Sequence, residues 1–126
     1  MSGNGRPVVL VADDDPDILS LVALRLQRSG YDVLTAGDGE EALAAALEHG
    51  PDLALLDVMM PKLDGYEVTE RLRASDSTRH MPVILLTARV QEADIARGIE
   101  AGADDYVEKP FSTLELRDRV QAALGR

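Results

Sequence analysis

Hydrophobic positions along the chain gather into five short runs, each bounded by turn residues and followed by a longer stretch in which apolar and polar residues recur with helical spacing. The runs predict strands over residues 7–12, 32–36, 52–56, 82–86 and 105–107. Three are continuously apolar, as parallel strands covered on both faces should be. The stretches between them carry helix start and stop signals. Asp38 with Glu41, Asp64 with Glu67, and Ser112 with Glu115 each pair an N-cap oxygen with an acid three residues later, so each predicts a capping box. Gly30, Gly50 and Gly102 stand where a left-handed residue would end the first, second and fourth helices, and Pro16 suits the first turn of the first. Strict alternation of strand and helix implies right-handed crossovers and a doubly wound α/β fold, a parallel sheet with helices on both faces. The order of the strands does not follow from periodicity.

A length of 126 residues predicts one domain, 1–126, with its core over about 7–124 and frayed first six and last two or three residues. No linker, low-complexity tract or repeat interrupts it. Twenty-three acids against thirteen bases give a formal charge of −10, the wrong sign for direct nucleic-acid binding. Apolar runs such as Val8 to Ala12 and Ala42 to Leu47 fall far short of the roughly 18 residues that span a bilayer, so no membrane segment is expected. The opening MSGNGRP lacks a secretory pattern, which makes a cytoplasmic location the expectation. Zero cysteines exclude disulfides and thiolate metal sites.

Ligands of an open parallel α/β sheet bind beyond the carboxyl ends of its strands, and the polar residues here gather at those ends. The first strand breaks into Asp13, Asp14 and Asp15, the third into Asp57, the fourth into Thr87, and the fifth runs through Tyr106 into Glu108, Lys109 and Pro110. Two like charges about 5 Å apart cost on the order of 3 kcal/mol at an effective dielectric of about 20. Either one acid holds a proton or a hard divalent cation lies among the oxygens. Mg2+ fits the all-oxygen donors better. A carboxylate at a cation, with a lysine and a threonine converging on it, has the parts for phosphoryl transfer to the acid.

Four segments in order, VADDDPD, LLDVMMPKLDGYE, LLTAR and GADDYVEKPF, resemble the receiver domains of two-component response regulators, over about Val8 to Leu124. The resemblance implies a flavodoxin-like, five-stranded sheet in the order 2-1-3-4-5. Carried over residue by residue, it makes Asp57 the phosphoacceptor, Asp14 a direct Mg2+ ligand, Asp13 a ligand through water and Met59 a ligand through its backbone carbonyl. Thr87 is similar to the hydroxyl that grips the phosphoryl group, Lys109 to the lysine that pairs with it, and Tyr106 to the aromatic switch. The bond from Lys109 to Pro110 is expected to be cis. The implied partners are a sensor histidine kinase or phosphotransfer protein upstream and a protein target downstream, met by the fourth helix, fifth strand and fifth helix. The implied role is signalling, with at most self-phosphorylation and self-dephosphorylation as chemistry.

The chain departs from the family at the output face. Regulators that dimerise there often pair a basic residue with an acid, and the matching residues are Ile95 and Glu115, which cannot form that bridge. Asp104 or Asp105 remains able to meet Arg119 across such an interface, so a monomer or a weak phosphorylation-dependent dimer is expected. Met59 and Arg89 flank the site where the family varies its dephosphorylation rate. One alternative reading is a receiver-like interaction module that is never phosphorylated. The other is a small Mg2+-dependent aspartyl phosphatase of the haloacid dehalogenase kind, with Asp13 and Asp15 as its Asp-x-Asp. The second lacks a cap domain and has Asp17 where that family places Thr or Val. His49 and His80 fall at loop edges with no catalytic partner, and residues 37–39 lack the context of a dinucleotide fingerprint.

Overall fold

A computed structural model describes residues 5–88 and 91–125. In chain order the elements are β1 (Val8–Ala12), α1 (Pro16–Arg28), β2 (Asp32–Ala36), α2 (Gly39–His49), β3 (Leu53–Asp57), α3 (Gly65–Ala74), β4 (Val83–Thr87), α4 (Glu92–Ala101), β5 (Asp105–Glu108) and α5 (Thr113–Ala123). All neighbouring strands are parallel, in the order β2-β1-β3-β4-β5. The chain reverses its direction of winding beside β1, so β1 and β3 become neighbours and a crevice opens beyond their carboxyl ends.

The predicted strands need small corrections that matter for the site. The strands expected over 7–12, 52–56 and 82–86 each begin one residue later than predicted, because Pro7 and Pro82 lack an N–H and Asp52 uses its carboxylate to accept the Val8 N–H at 2.7 Å. At the other end the ladder extends further, pairing Asp57 with Leu86 and Thr87 with Glu108. Both polar residues therefore belong to the last rungs of the sheet and share its rigidity.

The continuous apolar runs bury both faces. Leu10, Ala54, Leu56, Val83 and Leu85 face one core with residues of α2 and α3, whereas Val9, Val11, Leu53, Leu55, Ile84 and Leu86 face the other with residues of α1 and α5. Of the three predicted capping boxes only one closes. Asp64 Oδ1 accepts the Glu67 N–H at 2.8 Å, and Glu67 Oε1 accepts the Asp64 N–H at 3.0 Å. Asp38 and Ser112 accept from Glu41 and Glu115, but neither acid returns a bond among the described residues. At an exposed helix end water serves such a carboxylate nearly as well.

Gly102 ends α4 at φ 99°, and Asp104 just beyond it ties α3 to the sheet. Its Oδ2 accepts the Val83 N–H at 2.8 Å and the Arg73 guanidinium at 3.0 Å, while Arg73 also donates to the carbonyls of Gly102 and Met81. Arg119 meanwhile grips both carboxylate oxygens of Asp105 at 2.7 and 3.0 Å. Within one chain, Asp104 thus bonds Arg73 and Asp105 bonds Arg119. Asp104→Ala, by orphaning the Val83 amide and removing the carboxylate partner of Arg73, is expected to cost about 1–3 kcal/mol in urea denaturation; an unchanged midpoint would show the tie to be idle.

Candidate functional site

The three aspartates after β1 diverge. Asp15 caps α1, accepting the Asp17 N–H at 3.0 Å and the Ile18 N–H at 3.4 Å. Asp13 turns inward, 1 % exposed, its backbone N–H still bonded to Ala36 O at 3.1 Å and its Oδ1 accepting the Asp15 N–H at 3.0 Å. Asp14 remains exposed on the rim. Asp57, at the end of the adjacent β3, is 6 % exposed, and carboxylate oxygens of Asp13, Asp14 and Asp57 all lie within 4.8 Å of one another.

Lys109 reaches the same place from the end of β5. Its Nζ donates to Asp13 Oδ2 at 2.9 Å and to Asp57 Oδ1 at 3.2 Å. The chain turns there through a cis bond to Pro110, as expected. Three carboxylates and one ammonium leave an excess of two negative charges in a largely buried corner. Burial, reinforced by the charge on Asp13, pushes the Asp57 carboxyl up to about 6, against the opposing pull of Lys109. Burial acts to lower Lys109, but its bonds and charge interactions with Asp13 and Asp57 outweigh this and hold its ammonium above the usual range.

Thr87, buried at the end of β4, lines a cleft of about 220 Å³ with Val58, Met59, Ala88, Gln91 and Asp94. Met59, 76 % exposed, also lines a second cleft of about 540 Å³ with Asp14, Met60, Pro61, Lys62, Asp64 and Glu67. The two clefts meet at Met59, beside Asp57. Arg89, which sequence reasoning placed next to the site, lies outside the described residues. His49 and His80 are exposed.

Tyr106 packs against α4, where its hydroxyl donates to the Asp94 carbonyl. Gly98 makes this possible, because a Cβ at that position would stand 1.8 Å from the Tyr106 hydroxyl oxygen. Ile95 and Glu115 share a cleft of about 440 Å³ with Tyr106, Glu108 and Arg119 on the α4, β5 and α5 side. Sequence reasoning assigned no role to Gly98, nor to Gly65, whose Cβ would lie 2.7 Å from the Asp57 carbonyl oxygen. Gly65 carried a legible signal, the Asp-Gly pair opening a helix; Gly98, in mid-helix, carried only the rule that a helical glycine needs a packing reason.

The donor set suits a small hard cation: three carboxylates, no thiolate or imidazole, and an excess of negative charge offset only by Lys109. Fold and site together define a doubly wound α/β domain with an acidic, lysine-bridged crevice at its switch point. The family model described as "Response regulator receiver domain" matches residues 9–121, and the chain belongs to that family. It is 52% identical over 118 residues to the alkaline phosphatase synthesis transcriptional regulatory protein PhoP of Bacillus subtilis (strain 168), covering 94% of this chain and 48% of PhoP. The chain spans about half the length of the curated relatives it matches. Among solved structures, a response regulator from Chloroflexus aurantiacus superposes with a TM-score of 0.91 at 38% identity, covering 96% of this chain and 99% of that one. The receiver domain of a sensor histidine kinase from Pseudomonas aeruginosa PAO1, which has a magnesium ion coordinated in its active-site cleft, gives a TM-score of 0.89 at 33% identity, covering 97% and 100%. None of the described helices is long and apolar enough to cross a membrane.

Proposed function

We propose that this chain is a phosphorylation-controlled switch in which Asp57 accepts a phosphoryl group from a phosphohistidine of a sensor histidine kinase or phosphotransfer protein. The observation that carries the reading is the convergence of Asp13, Asp14, Asp57 and Lys109, from three strand ends, in one largely buried corner. Mg2+ is the cation the donors suit, held by Asp13, Asp14, Asp57 and the Met59 carbonyl; when bound it supplies positive charge against the equatorial phosphoryl oxygens.

The remaining work belongs to the chain. An Asp57 carboxylate oxygen attacks phosphorus as the P–N bond of the donor breaks, and the imidazole leaves with the bonding electron pair and takes up a proton. Asp57 is held on the last rung of β3, so little reorganisation is required. Lys109 keeps an ammonium 3.2 Å from the nucleophile and follows the charge onto the phosphoryl group. Thr87, which lines the same cleft as Met59, donates its hydroxyl to a phosphoryl oxygen.

Each new charge-assisted bond contributes about 1.5–3 kcal/mol. A 1:99 equilibrium needs roughly 5.5 kcal/mol to invert. Lys109 already bonds Asp57 before the reaction, so its contribution is a difference and the shift is partial. Tyr106 and the α4, β5 and α5 face carry the change to a protein target. PhoP is named a transcriptional regulatory protein, and control of such an output suits this receiver, while a charge of −10 opposes contact of the chain itself with DNA.

Intact mass after incubation with acetyl phosphate tests the proposal. A Mg2+-dependent gain of one phosphoryl group, absent in Asp57→Asn, is expected. A gain indifferent to position 57 would remove the switch, and an absent gain would favour the unphosphorylated interaction module.

A further inference from the structure

The loop between β3 and α3 holds Met59, and the structure shows what holds the loop. The Leu63 N–H donates to the Pro61 carbonyl at 2.9 Å, closing a three-residue turn around Lys62, whose φ is 72°. Lys62 is the one residue other than glycine at positive φ among the described residues, and a turn of this shape persists only where its surroundings over-determine it. Those surroundings are the first turn of α2. The Gly39 N–H donates to the same Pro61 oxygen at 3.3 Å, and Lys62 Nζ lies 3.5 Å from Asp38 Oδ2. Asp38 is itself fixed, because its other oxygen caps the Glu41 N–H at 2.8 Å.

Gly39 is pressed against this loop so closely that a Cβ would stand 1.8 Å from the Leu63 carbonyl oxygen and 2.6 Å from its carbonyl carbon. These are backbone atoms and cannot rotate aside. We infer that the α2 N-terminus is a clamp on the cation-binding loop, with Gly39 as a positioning residue that acts through residues 61–63 on the Met59 carbonyl. The inference rests on the Mg2+ reading above.

Calorimetric titration of the metal-free full chain with Mg2+ provides the first test. Gly39→Ala is expected to weaken binding about 10-fold or more, the usual consequence of disturbing the support of a ligand. Leu26→Ala, which opens a cavity in the core on the other face of the sheet, should lower thermal stability yet leave Mg2+ affinity within about twofold. Gly39→Ala binding Mg2+ as wild type does, or Leu26→Ala losing as much, overturns the clamp.

Linkage requires the reverse effect in the unmodified chain, whether or not the alanine variant folds. Mg2+ should slow amide exchange at Gly39 by a larger factor than at Glu48, at the far end of α2. No slowing at Gly39 in a chain that binds Mg2+ sinks the clamp alone. A wild-type chain that binds no Mg2+ removes the underlying cation reading together with it.

Discussion

Lys109→Ala is expected to destabilise the metal-free chain by about 3–5 kcal/mol near neutral pH, the range for removing one partner of a buried ion pair. The ammonium is shared by Asp13 and Asp57, both almost fully buried, and nothing else among the described residues donates a positive charge to either. Its loss leaves two neighbouring carboxylates with their desolvation and repulsion unopposed. Lys109 also pulls the Asp57 pKa down, so without it Asp57 takes up a proton at still higher pH. The deficit should therefore shrink as pH falls toward about 5. Added Mg2+ should recover much of it by binding the folded chain. Urea denaturation with and without Mg2+ measures all three effects. Wild-type stability at neutral pH, or a deficit that Mg2+ leaves untouched, would mean that the bridge is incidental.

Asp57→Asn should have the opposite sign. The Asp57 carboxyl, raised from 3.8 to about 6, binds a proton more readily folded than unfolded. Its contribution to stability is thus fully present below about pH 3.8 and is lost as pH rises through about 6. Near neutral pH the ionised group is a liability of at most about 3 kcal/mol, from roughly two pH units at 1.36 kcal/mol each. The amide carries no charge, so the metal-free variant is expected to be about 1–3 kcal/mol more stable than wild type near neutral pH and to lose that advantage near pH 4. Mg2+ should narrow the gap by favouring the carboxylate. Denaturation midpoints at the two pH values decide, and a variant less stable than wild type near neutral pH would contradict a site held together against its own charge.

Both effects concern residues that the sequence marks out, and the reason is local. A β-branched or leucine-rich run ending in Asp, Thr or Glu-Lys marks a strand end by composition, and the parallel sheet brings such ends to one edge. Asp13, Asp14, Asp57, Thr87 and Lys109 were legible in this way. Where the strands stop was less so: the ladder runs on through Asp57 and Thr87 because each still has a backbone partner on the next strand, which a hydrophobicity pattern does not reveal. Half-closed caps at Asp38 and Ser112 depend on how water competes at an exposed helix end. Gly39, Gly65 and Gly98 were the least visible. Their need for a bare Cα arises from how closely two elements cross, a property of the assembled layers rather than of any short stretch of chain.

The bond between Lys109 and Asp13 joins residues 96 apart in the chain, and the one to Asp57 spans 52. During synthesis the acidic corner is therefore made long before its counter-charge. A ribosome that has delivered β1 to β4 has released Asp13, Asp14, Asp57 and Thr87, while Lys109 is still to be translated. Until β5 adds the last edge of the sheet, those acids have no ammonium beside them. The corner is thus complete only once β5 has joined the sheet, whatever the order in which the other strands assemble.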